Sequence, residues 1–186
     1  MNKEHIKQVM VIGRAITSCS WMWANTAIAV YMYSNVTQQQ NAIATLLIII
    51  IGGLSAHYME GKALRDFVLK YVYAVLIVSS LVDASIEWLL LVDPAYRLIG
   101  NGVSESIMQA IAYLVVNHLK YTLISDTDER LSFDMTLEKY SHIGKFTGVM
   151  LAFLTIPIEA SVVIQVVGSL IWMFVYLYIY RVLRTS

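Results

Sequence analysis

Six stretches of this chain are almost wholly apolar, and short polar breaks separate them. They are residues 9–33, 42–58, 68–92, 98–124, 143–159 and 162–180. Each reaches the roughly 17–25 residues that a bilayer-crossing helix requires. The second is the purest, because residues 46–51 carry no polar atom outside the backbone. The fourth is the most interrupted, by Asn101, Ser104, Glu105, Gln109 and Asn117. Backbone groups in hydrocarbon must be satisfied within their own segment, and no barrel-type alternation is present. The pattern therefore predicts an all-α, polytopic membrane protein: one domain of six transmembrane helices spanning residues 1–186. The first stretch is too long for a cleavable signal, and no small-residue cleavage site follows it.

Composition points the same way. Hydrophobic residues make up 58% of the chain and charged residues 14%, against about a quarter charged in an ordinary soluble domain. The 13 basic and 13 acidic residues cancel, so no global charge argues for nucleic acid as a partner. The single cysteine, Cys19, excludes an intrachain disulfide and a cysteine-rich metal site. Lys and Arg fix the orientation. With six crossings, Lys3, Lys7, Arg14, Lys62, Arg65, Lys70, Lys120, Arg130, Lys139, Lys145, Arg181 and Arg184 share the side of both termini, and Arg97 stands alone opposite. The positive-inside rule then predicts cytoplasmic termini, in a plasma membrane of the bacterial inner-membrane kind. The inner loops are expected at 60–70 and 125–142. No loop is long enough for a domain of its own, so the lipid bilayer is the first partner and the membrane part must carry the function.

Ionisable groups inside such segments are costly and mark candidate sites. Asp83 and Glu87 are four residues apart and share a helix face. By helical rise, Asp83 lies about 15 Å from the outer end of its segment, near the bilayer centre. Asn101, Glu105 and Gln109 recur every four residues and form a polar stripe on the fourth segment. The sharp reading makes these a proton or cation site, since neighbouring carboxylates raise one another's pKa; the plain reading makes them ties between helices. Arg14 snorkels to the inner face or meets a substrate. Glu159 and Gln165 are expected near the outer boundary, and Tyr176, Tyr178 and Tyr180 as an interfacial belt at the inner end. Trp21 and Trp23 are read as packing residues. His5, His57, His118 and His142 show no metal spacing, and no metal or other cofactor is expected. Asn35-Val36-Thr37 is a formal glycosylation sequon. Without a G-x-S-x-G, a Walker motif or a Ser–His–Asp set in one layer, the chain is not expected to be an enzyme.

Three motifs resemble those of the major facilitator superfamily. Residues 52–62, Gly-Gly-Leu-Ser-Ala-His-Tyr-Met-Glu-Gly-Lys, are similar to its loop signature G-x-L-[AS]-D-[RH]-x-G-[RK]-[RK]. Gly52, Leu54, Ser55 and His57 match, Ala56 replaces the aspartate, and Gly61-Lys62 follows later than in the family. Arg97, Gly100 and Gly102 look like a shortened R-x-x-x-G-x-G, and Arg130 with Phe133, Gly144 and Gly148 resembles an R-x-x-F…G-x-x-x-G run. The resemblance implies the N-terminal six-helix half of a transporter whose two halves enclose the substrate. A parallel homodimer, or a second half-size subunit, would restore twelve helices. The implied activity is secondary, proton-coupled transport of a small molecule. In the family the first, second, fourth and fifth helices line the cavity, which implies Asn25, Asn101, Glu105 and Gln109 as lining residues and places Asp83 and Glu87 outside it. Acidic candidates lean toward cations. The alternative is a non-transporting protein of the exclusion or immunity type that binds a membrane partner.

Overall fold

The computed structural model describes residues 3–35, 37–89, 94–154 and 157–185, and among them every extended element is helical. The chain order is α1 (Lys3–Asn35), α2 (Gln38–Glu60), α3 (Lys62–Lys70), α4 (Val72–Leu89), α5 (Pro94–Leu123), α6 (Thr127–Ala152) and α7 (Ile158–Thr185). By length and apolarity alone, one helix among the described residues qualifies as a membrane span, Glu159–Arg184 within α7. The pair α3 and α4 meets that measure only if taken as a single bent span. Polar and charged side chains dilute α1, α5 and α6.

Several boundaries differ from the pattern in the sequence. The expected inner loop at 125–142 is the first half of α6. Asp126 caps it, accepting a hydrogen bond from the Glu129 backbone N–H at 2.8 Å, and Asp128 and Glu129 sit in the positive first turn. That half carries charges outward while burying Phe133, Leu137 and Ser141 at spacings of four, so a search for apolar runs passes over it. The expected loop at 60–70 likewise contains α3. The chain bends by 93° between Lys62–Lys70 and Val72–Ile86, with Tyr71 at φ −113°, ψ 33°. Val68 to Lys70 therefore belong to α3 rather than to the third crossing. The fifth segment ends at Ala152 rather than 159, and Glu159 lies in the first turn of α7, where a carboxylate suits the helix dipole.

Contacts between side chains give the directions. Lys7 meets Glu129 and Ser18 meets Ser141, so α1 and α6 run parallel. A Cβ at Gly13 would meet Val175, and one at Gly168 would meet Ser20, so α7 runs against α1. Tyr73 stacks edge-on with Tyr180 and Asp83 pairs with Ser169, so α7 also runs against α4. The helices lie in an arc in the order α6, α1, α7, α4, α5, α2, each packed on the next. The two ends of the arc share no substantial contact among the described residues.

This order contains an internal repeat. Exchanging α1, α2 and α4 for α5, α6 and α7, in order, carries α1–α6 onto α5–α2, α1–α7 onto α5–α4, and α4–α7 onto itself. Since α5 turns directly into α6, which is parallel to α1, the two triplets point in opposite directions. The best-buried apolar residues, among them Met10, Leu76, Val115, Leu119 and Ile179, gather toward the end of the bundle that holds the chain's N-terminus. The outer surface is apolar elsewhere, with Ile49, Leu81, Phe146 and Phe174 exposed.

Candidate functional site: a polar cavity inside the arc

Four helices each turn one polar stripe toward the inside of the arc. On α1 it is Arg14, Thr17, Ser18 and Trp21; on α7 it is Gln165, Ser169, Trp172 and Tyr176. The spacings of three and four residues put each set on one face. Asn117 and Lys120 contribute from α5, Asp134, Glu138 and Lys145 from α6, and Asp83 reaches in from α4. Together with apolar Met108, Ala112, Val116 and Leu137 they line a half-open cavity of about 700 Å³, within the range of small-molecule sites. Exposed Tyr113 and Glu138 stand on its rim.

Glycines set the walls. At Gly144 and Gly148 of α6, an added Cβ would collide with the backbone carbonyl oxygens of Ala15 and Cys19, respectively. Only glycine allows α6 this close to α1, as in the small-residue interfaces of membrane helices. Gly168 similarly admits the Ser20 side chain to the α1–α7 seam. These contacts fix the rotation of α1, and hence the direction of its Arg14–Trp21 stripe.

Asp83 is the buried carboxylate of the cavity, 7% exposed. Ser169 donates a hydrogen bond to its Oδ2 at 2.6 Å. Near the α5–α6 turn, Lys120 pairs with Asp134 at 2.6 Å, which ties the two consecutive helices where they separate. Trp172 and Tyr176 pack with their rings tilted and centroids 5.0 Å apart, and both line the cavity as an aromatic wall. Among the described residues no group of three His, Cys, Asp or Glu side chains is placed to hold a metal.

Of the residues singled out by sequence, Asp83 is in the cavity, against the family's pattern, which put its helix outside. Asn25 is not; its Nδ2 donates to the Trp21 carbonyl within α1 at 2.9 Å. Glu87, Asn101, Glu105 and Gln109 lie on α4 and α5, but their side chains fall outside the described residues. Arg97, Gly100 and Gly102 belong to the start of α5, and their surroundings also lie outside the described residues. The loop signature is not a loop up to His57: Gly52, Leu54 and His57 are within α2, with Leu54 and His57 exposed. Gly61 breaks the chain at the N-cap of α3 and Lys62 opens that helix. Arg130 lies in α6 and packs over the Tyr121 ring at 4.2 Å.

Other lining residues were not expected there. Gln165, read as a boundary residue, is 4% exposed and lines the cavity; Tyr176, read as part of an interfacial belt, is 2% exposed. The signal was present in Ser161, Gln165 and Ser169, four residues apart on α7. Trp21 also lines the cavity rather than only packing. Comparison with known proteins finds no matching family model, no matching curated protein and no matching solved structure.

Proposed function

We propose that this chain is a small-molecule transporter subunit of the plasma membrane, with α1, α2, α4, α5, α6 and α7 as six crossings and both termini cytoplasmic. The observation that carries the reading is a half-open cavity into which both triplets of an inverted helix repeat bring charged and polar side chains. Secondary transporters are built from such repeats, with substrate sites at the interface between them, and a soluble role would not call for an apolar coat around a charged interior. The α6 Gly144–Gly148 pair, which belongs to one of the three motifs that resemble the family's, supports kinship with a major-facilitator half. The open side of the arc is where a second copy, parallel to the first, completes the wall.

In this scheme Asp83 takes up and releases the coupling proton, with Ser169 holding its carboxylate in place, and Glu105 on α5 assists. Relative movement of the two triplets along the α4–α7 seam exposes the cavity to each side in turn. A test without a known substrate uses Asn117→Cys in a Cys19→Ser background. Membrane-impermeant thiol reagents are applied to vesicles of either orientation. Labelling from both faces is expected; labelling from one face only, or from neither, rejects alternating access.

A further inference from the structure

We propose that the cavity binds an amphipathic organic anion, through Arg14 and Lys145, with its apolar part against the aromatic wall. This rests on the reading of the cavity as a solute site and gives that site a substrate class. It also reverses the lean toward cations drawn from the acidic residues of the sequence.

The charges around the cavity are Arg14, Lys120 and Lys145 against Asp83, Asp134 and Glu138. They balance in number but not in engagement. Lys120 and Asp134 neutralise each other across 2.6 Å. Asp83 is held by Ser169, and Glu138 is exposed on the rim, where water and salt screen it. Arg14 and Lys145 are half-buried, and neither forms an ion pair or a side-chain hydrogen bond with any described residue. Partial burial of a cation without a counter-charge is costly. Two of them on one cavity create a demand for an anion.

Their placement is shared. Gly144 packs on Ala15, and Arg14 and Lys145 are the immediate neighbours of those two residues on parallel helices. The two cations therefore stand at the same level of the cavity. A guanidinium offers the fork that grips a carboxylate or phosphate with two hydrogen bonds, and an ammonium adds a point charge beside it. Trp21, Trp172 and Tyr176 line the same space and suit an aryl or alkyl body.

Equilibrium binding tests this without transport. Purified protein in nanodiscs is titrated with 3-phenylpropionate, 3-phenylpropyl phosphate, 3-phenylpropylammonium and 3-phenylpropanamide, read by quenching of tryptophan fluorescence. One or both anions should bind at least about tenfold more tightly than the ammonium and the amide, the scale of a charge-assisted hydrogen bond. Arg14→Gln should weaken anion binding about tenfold or more, and Lys145→Gln should weaken it to a lesser degree. Arg14→Lys should recover part of the loss, with all variants melting near the parent. The proposal is overturned if the ammonium binds as well as the anions, if Arg14→Gln and Lys145→Gln leave anion binding unchanged, or if none of the four probes binds. The thiol-labelling result is separate: a cavity that binds anions but opens to one side only would retain this inference and reject transport.

Discussion

Helix α1 has two working faces roughly two-fifths of a turn apart, and they are built on opposite principles. On one, Ala15, Cys19 and Trp23 bring their backbone against Gly144 and Gly148, with no room for a single added carbon. On the other, Arg14, Thr17, Ser18 and Trp21 look into an open cavity. In the proposed membrane setting there is no hydrophobic drive to press helices together, so close backbone approach supplies the cohesion. The packed face thus provides the rigidity on which the polar face can hold Arg14 toward the cavity. Cohesion and chemistry are divided between neighbouring residues of the same helix.

Breaking the packed face should have the largest effect. A Cβ at Gly148 would lie 2.8 Å from the Trp23 backbone N and still closer to the Cys19 carbonyl oxygen, and neither can move without moving α1. Gly148→Leu should destabilise the fold by about 3 kcal/mol, the upper end for overpacking, measured by denaturant titration in detergent. The matched control is Gly53 on α2, where an added Cβ meets nothing within 4 Å. Gly53→Ala should be neutral or stabilising by up to ~1 kcal/mol, from helix propensity. Equal losses at both glycines would show that the α1–α6 contact has no special part in stability.

The sequence disclosed these two faces unequally. Helical content followed from apolar runs, and the Gly144–Gly148 spacing was visible as a motif, though not its partner on α1. What was hidden is whatever depends on rotation of one helix against another. Arg14 reads the same whether it snorkels or lines a cavity, and Gln165 looks like a boundary residue until α7 is placed beside α1 and α4. The polar half of α6 was hidden for a different reason: its helix is set by the Asp126 cap and by Phe133, Leu137 and Ser141 at helical spacing, not by apolarity. Asp83 was legible because a carboxylate deep in an apolar run has few reasons to be there.

Ser18 belongs to both faces, which sharpens the comparison at lower cost. It lines the cavity, yet its hydroxyl pairs with the buried Ser141 hydroxyl at 2.9 Å. Ser141→Ala removes only the packed half of that role. The expected loss is about 0.6 kcal/mol, the average for a hydrogen bond between membrane helices, with anion binding to the cavity unchanged. A loss of binding as large as that from Arg14→Gln would mean that the faces are not separable.

The smallest effect lies where the α1–α6 contact leaves the apolar region. Lys7 bonds to Glu129 of α6 at 2.5 Å and to Glu4 of its own helix at 2.7 Å. The Glu129 hydrogen bond, followed by that of Glu4, raises the Lys7 ammonium above its ordinary value of 10.5, against a smaller opposing effect of burial. A raised folded-state value means that the folded chain holds the proton more tightly than the unfolded one. The contribution is therefore complete below pH 10.5 and fades as pH climbs from there through the folded value. Glu129 is half exposed, so the pair should be worth only a few tenths of a kcal/mol. Lys7→Met should lower the melting temperature slightly at pH 7 and flatten the decline of the parent between pH 10 and 12. If that decline is the same in both proteins, the parallel α1–α6 contact is held by its glycines and serines alone, and the ion pair at its aqueous end adds nothing to it.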